Sequence, residues 1–204
     1  MTNASAAGPR RPYLLVTHSY YEEDPRVRRQ AESIVASGVD VDVLALRREG
    51  DGVEEVIDGV RVHRLDVQRH QGAGIWTYSR EYLAFFVRVA LTLVRTQSRR
   101  RYALVQVATL PDWLVLAALP VRLAGVPVVI DLHESMPDFF RSRFPGAANP
   151  IVHQGLLAAE RLSIANASRA FSMFSDRLPC SRYGGKWPST RCASVTVGSV
   201  PPRM

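Results

Sequence analysis

Short apolar runs alternate with stretches of helical periodicity along most of the 204 residues. The run YLLVTHS (13–19) is bounded by polar residues on both sides, as in a strand buried on both faces of a parallel sheet. DPRVRRQAESIVASG follows. Asp24 can cap its first amides, Pro25 sits at the first helical position and Gly38 supplies a left-handed stop, so it predicts a helix. The buried stripe of that helix is Val27, Ala31, Ile34 and Val35. VDVDVLAL alternates into a second strand, and Asp58-Gly59 inside EEVIDGVRVHRLDV marks a β-hairpin. TYSREYLAFFVRVALTLVRTQ predicts a long helix with Tyr78, Tyr82, Phe85, Phe86, Val89 and Leu93 along one side. YALVQVA is a further strand. PDWLVLAALPVRLAG is a helix that begins at Asp112, is kinked by Pro120 and stops at Gly125. VPVVIDL is another strand. A helix over about 150–167 and weaker strands at RAFSMF and ASVTVG complete the pattern.

Alternation of this kind specifies an α/β fold: a Rossmann-like parallel sheet with helices on both faces, joined by right-handed crossovers. The expected organisation is a mobile tail over residues 1–12, one domain over 13–168 and an atypical segment over 169–204. Composition changes the picture only at that last segment. The net charge is +7, but 169–204 hold six basic residues against the single acid Asp176, so the body is close to neutral. The basicity is therefore no argument for a nucleic-acid partner. Lys186 is the one lysine, against 25 arginines, and both cysteines, Cys180 and Cys192, lie in the same segment. Such a shift fits either a stretch read out of frame or a variable surface segment. No run offers the ~20 apolar residues of a membrane span, and the N-terminus lacks the hydrophobic core of a secretory signal. The expected location is cytoplasmic.

In a sheet of this class ligands bind beyond the carboxyl ends of the strands. The first strand delivers Thr17, His18 and Ser19, leading to Tyr20. YALVQVA delivers Ala108 and Thr109, and VPVVIDL delivers Asp131, His133 and Glu134. The helix that starts at Asp24 turns its amino terminus to the same rim, a place that suits anionic groups. Arg26 lies in that first turn against the helix dipole, which suggests an anion or a carboxylate partner; Glu22, Glu23 and Glu134 are the candidates for a purely structural pair. Several common chemistries are excluded. No G-x-G-x-x-G follows the first strand, GGKW lacks the Ser/Thr of a P-loop, and no G-x-S-x-G elbow occurs. His63 and His70 have no metal-ligand partner at useful spacing.

The ordered series THSYYEEDPRVRRQAESIVASG, EEVIDGVRVHRL, SREYLAFF and ALVQVATLPDWLVLAALPVRLAGVPVVIDLHESMPDFFRSRF resembles the N-terminal half of family 4 glycosyltransferases over about residues 13–168. The resemblance implies the N-terminal domain of a GT-B fold. It also implies transfer of a hexose from a nucleotide sugar, with retention of configuration and without a metal or other cofactor. His133 and Glu134 would be the catalytic pair. His18, Ser19, Tyr20, Arg26 and Thr109 would bind substrate. The acceptor implied is a glycan or a lipid-linked saccharide at the inner face of a membrane, with peripheral membrane contact. Ala108 departs from the histidine common there. The ending SVTVGSVPPRM matches the linker to the second domain, so the donor-binding half is expected to lie outside this chain, leaving it inactive alone. Two alternatives stay open: a subunit of a split enzyme whose partner supplies the donor domain, and a non-enzymatic binding module.

Overall fold

The computed structural model describes residues 11–67, 69, 74–132, 134–145, 149–172 and 192–194. His133, His70, Cys180, Lys186 and most of the tails assigned from sequence lie outside these residues. The strands are β1 (Tyr13–Val16), β2 (Val41–Leu46), β3 (Glu54–Ile57), β4 (Val60–Leu65), β5 (Leu104–Ala108), β6 (Val128–Leu132), β7 (Arg169–Ser172) and β8 (Cys192–Ser194). They form one sheet in the order β3-β4-β2-β1-β5-β6-β7-β8. Every neighbouring pair is parallel except β3 with β4. The order reverses between β1 and β5, which makes their carboxyl ends the switch point where a crevice opens.

The helices are α1 (Pro25–Ala36), α2 (Ile75–Arg100), α3 (Leu119–Leu123), α4 (Met136–Arg143) and α5 (Pro150–Asn166). Strand alternation divides the core. Leu15, Val41, Val43 and Ala45 pack against Val27 and Ala31 of α1 on one face of the sheet. Leu14, Val16, Leu44 and Leu46 pack against Phe85, Val89 and Leu93 of α2 on the other, where Val121 and Ile164 place α3 and α5 as well. The hairpin turn has Asp58 at φ 50° and Gly59 at φ 81°, two positive-φ positions as a two-residue turn of this hand requires. A Cβ on Gly59 would come within 3.0 Å of Val35 Cγ1, so the turn lies directly on α1.

Two elements differ from the expectation. The stretch after Asp112 is not one kinked helix: Asp112–Ala118 is a 3-10 helix, and α-helical geometry begins only at Leu119. Pro120 lacks the N–H that would bond back one full α-turn, so it is accommodated in the first turn of α3 instead of bending a longer helix. The helix α4 is additional. It was hidden by its brevity and opens with Pro137 in its first turn.

Candidate functional site

Beyond the carboxyl ends of β1, β5 and β6 lies a cleft of about 480 Å³. Its wall includes Thr17, His18, Ser19, Thr109 and Glu134, five residues that the strand ends deliver. Arg26 lines it from α1, Tyr78, Glu81 and Tyr82 from the start of α2, and Arg143 from the end of α4. Arg69 enters from the segment before α2.

The loop after β1 is held by Asp24. Its Oδ2 accepts hydrogen bonds from Ser19 Oγ at 3.0 Å and Thr17 Oγ1 at 3.2 Å, and its Oδ1 accepts from the amides of Arg26 and Val27, both at 3.3 Å. Burial opposes its ionisation, but these donors and the Arg26 charge hold the carboxyl below the usual carboxylate range. The amino terminus of α1 is therefore capped by Asp24, as its place in the sequence predicts, and the anion that this helix start holds is a carboxylate of its own chain. Arg26 lies 3.7 Å from Asp24 Oδ1 with its side chain 45% exposed. The alternative partners Glu22 and Glu23 contact Arg64 and Arg48 instead. Replacing Asp24 with alanine removes the helix cap and both hydroxyl contacts. A loss of about 1–2 kcal/mol is expected, a fall of roughly 2–8 °C in thermal midpoint; a melt unchanged within error would show that the loop does not depend on this carboxylate.

His18 forms the floor. Its ring meets Tyr82 and Phe85 edge-on, each at 4.8 Å between centroids, and its Nε2 lies 3.3 Å from Glu81 Oε1. The side chains of His18 and Glu81 are 5% and 3% exposed. Burial, reinforced by the Arg69 charge, pushes the His18 imidazole down to about 3, so the ring is neutral at physiological pH. Burial and the neighbouring Glu81 push the Tyr82 phenol up to about 12. The floor thus sets a neutral imidazole beside the Glu81 carboxyl group, while the guanidinium groups of Arg26, Arg69 and Arg143 line the cleft with Asp24 and Glu134.

Three other expected residues are placed as follows. Thr109 Oγ1 lies 3.3 Å from the carbonyl and 3.5 Å from the amide nitrogen of Glu134, which ties the β5 loop to the β6 loop. Tyr20 lies outside the cleft lining, with Arg48 Cζ stacked 4.5 Å over its ring. Asp131, expected at the rim, turns to the α1 side: its Oδ2 accepts from Gln106 Nε2 at 2.9 Å, and Gln106 pairs with Gln30 of α1. Val128, Ile130 and Leu132 occupy the other parity, packed in the α2-side core.

Sequence reasoning did not single out Glu81, Arg69 or Arg143. Glu81 carried a signal, since it is the acid directly beside Tyr82 on the stripe assigned to the core. Arg69 and Arg143 carried none, because each lies in a region with many arginines and no distinguishing period. Among the described residues no group of three or more His, Cys, Asp or Glu side chains is arranged to hold a metal ion.

A mostly parallel sheet with a polar cleft at its switch point defines a Rossmann-like domain. The sequence model of the glycosyl transferase 4-like domain matches residues 24–176, and the chain belongs to that family. A comparison with curated protein sequences found no significant match. Among solved structures, sucrose-phosphate synthase from Thermosynechococcus elongatus superposes with a TM-score of 0.69 at 14% identity, over 93% of this chain and 49% of that one. A Phytolacca americana enzyme (UGT2), solved with UDP-2-fluoro-glucose and pterostilbene, superposes with a TM-score of 0.59 at 11% identity, over 92% and 54%. A protein described as a UDP-N-acetylglucosamine 2-epimerase from Listeria monocytogenes gives 0.55 at 13% identity, over 89% and 44%. These likenesses support the GT-B, Rossmann-like fold. The chain spans about half the length of these three structures. Since one of them is described as an epimerase, the fold alone leaves the reaction open.

Proposed function

We propose that this chain is the acceptor-side half of a retaining glycosyltransferase that moves a hexose from a nucleotide sugar to a glycan or lipid-linked acceptor. The observation that carries this reading is the coincidence of the family match, residues 24–176, with a polar cleft at the switch point of the sheet. The aromatic wall of Tyr78, Tyr82 and Phe139 suits the apolar face of a sugar ring, and the neutral His18 and the Thr109–Glu134 loop suit its hydroxyls. Arg26, Arg69 and Arg143 suit anionic oxygens at the cleft margin. His133 and Glu134 follow β6 and stand next to the reacting sugar in this reading. The leaving nucleoside diphosphate needs charge stabilisation that acts as the glycosidic bond to it breaks. That stabilisation is assigned to a donor-binding domain, on the same or a separate polypeptide, and the chain alone is then inactive.

The test is label transfer from UDP-glucose, UDP-galactose and GDP-mannose to lipid-extract acceptors. The 204-residue chain alone should transfer nothing. Joined to a donor-binding domain of the same family it should transfer one of the sugars, and His133→Ala should then reduce the rate by about tenfold or more. Turnover by the isolated chain, or an unimpaired His133 variant, rejects the assignment.

A further inference from the structure

The two faces of the sheet are covered by helices of opposite character. The outward side of α1 is polar: Arg28, Arg29 and Ser33 are hydrogen-bonded there, and no large apolar residue of this helix is exposed. The outward side of α2 is apolar. Trp76, Leu83, Val87, Leu91 and Val94 are 85%, 56%, 46%, 49% and 53% exposed. Their spacing of seven, four, four and three residues puts them on one stripe, about 27 Å long at the helical rise. The stripe is not the buried one, which runs through Tyr82, Phe85, Val89 and Leu93 on the opposite arc. Exposed Leu123, Ile151 and Leu162 belong to α3 and α5 in the same layer.

Charge on this layer has one sign. Exposed Arg80 lies within the stripe, and Arg88, Arg95 and Arg99 follow its flank on α2. The acids of α2, α3 and α5 are Glu81 and Glu160, both buried, so these helices turn no carboxylate to solvent. Among the described residues no helix is long and apolar enough to cross a membrane. An apolar stripe beginning at a tryptophan and edged by cations is the pattern of a helix that lies in the plane of a bilayer interface.

We infer that the outward face of α2 docks on an anionic phospholipid bilayer, its apolar stripe entering the interface and its arginines meeting headgroup phosphates. A lone exposed leucine needs no explanation, but a continuous stripe of five does. A partner protein would have to present a row of acids beside a long apolar groove, whereas an anionic bilayer offers both features at any registration. The stripe leaves the cleft uncovered, since Tyr78, Glu81 and Tyr82 line it from the inward side of the same helix. The docking face is independent of the reaction proposed above and is tested without an activity assay.

The experiment is flotation of the full 204-residue chain with vesicles of phosphatidylcholine alone and of phosphatidylcholine with about 30% phosphatidylglycerol. Binding to the anionic vesicles should be at least about tenfold tighter and should weaken as salt is raised. Leu83→Asp with Leu91→Asp should weaken it by about tenfold or more, because the stripe no longer enters the interface. Arg88→Gln with Arg95→Gln should weaken it by about fivefold for each arginine removed. All four side chains are exposed, so unchanged thermal melts verify that each variant folds. Failure to bind anionic vesicles overturns the inference. So does binding that survives both double variants, as attraction by the basic residues of 169–204 alone would produce. Self-association of the chain that Leu83→Asp disperses, without vesicle binding, would show that a second copy covers the stripe and overturns it equally.

Discussion

Replacing Asp42 with alanine is expected to lower the unfolding free energy by about 2–4 kcal/mol. Asp42 is fully buried, at the amino end of β2 and on the α2 side of the sheet. Arg100, the last residue of α2, grips it with Nε at 2.9 Å and Nη2 at 2.7 Å, one to each carboxylate oxygen. The Tyr102 hydroxyl donates to Oδ2 at 3.0 Å. His63 stands 3.8 Å away, too far for a formed hydrogen bond, and contributes through its charge. Burial opposes ionisation of Asp42, yet His63, Arg100 and Tyr102 together hold it down to about 2. Removal strands a buried phenol and releases the carboxyl end of the longest helix. Arg100 is 31% exposed and can turn back to water, which keeps the cost below that of a fully enclosed pair. The cluster stands at the opposite end of the sheet from the cleft. The amino end is thus fastened by closed charge pairs, while the carboxyl end keeps guanidinium groups at an open margin. The measurement is urea unfolding, with a lower midpoint at unchanged slope; a change under about 0.5 kcal/mol would show that the cluster does not hold the amino end of the sheet together.

How much of this was legible in the sequence follows from the range of each interaction. The α1 cap at Asp24, the Asp58-Gly59 turn and the alternation into a parallel sheet are set within a few residues, and pattern captures them. The rim of β1 and β5 was legible too, because strand ends are where this topology places a cleft. The parity of Asp131 was not. Alternation says that Asp131 and Ile130 face opposite sides, but only the packed helices decide which side holds α1 and Gln30. The orientation of α2 was half legible. Its aromatic stripe was assigned to the core, and Tyr82 and Phe85 are there, but valines and leucines fill most of its circumference. Pattern alone therefore could not separate the stripe that meets the sheet from the stripe that meets solvent. The Glu81–His18 contact joins two segments far apart in sequence and has no local signature.

Asp112→Asn should raise stability at pH 8 by about 2–4 kcal/mol and change the shape of its pH dependence. Asp112 is 2% exposed, and its Oδ2 accepts a hydrogen bond from the amide of Met136 at 3.0 Å. It thereby fastens the start of the 3-10 helix after β5 to the start of α4, beside the loop that carries Glu134. Burial, and secondarily the nearby Glu160, push its carboxyl up to about 7 from an ordinary 3.8. The folded state then holds a proton that the unfolded chain has released. Stability is lost as pH rises from about 4 to 7, at roughly 1.4 kcal/mol per unit, and the loss is complete above that. His18 acts in the opposite sense. Its folded value of about 3 lies below the ordinary 6.5, so the unfolded chain takes up the proton first and stability is lost as pH falls from 6.5. Between about pH 4 and 6.5 the two slopes oppose each other, and this pair of groups leaves the wild-type profile nearly flat. Asparagine keeps an acceptor for the Met136 amide but does not titrate. The variant should therefore match the parent near pH 4, gain on it steadily up to pH 7 and stay above it beyond, exposing the rising slope of His18. Urea midpoints taken across pH 4–8.5 decide the matter. Parallel profiles for parent and variant would mean that Asp112 does not hold its proton near neutrality, and that the tie between the two loops is made at no electrostatic cost.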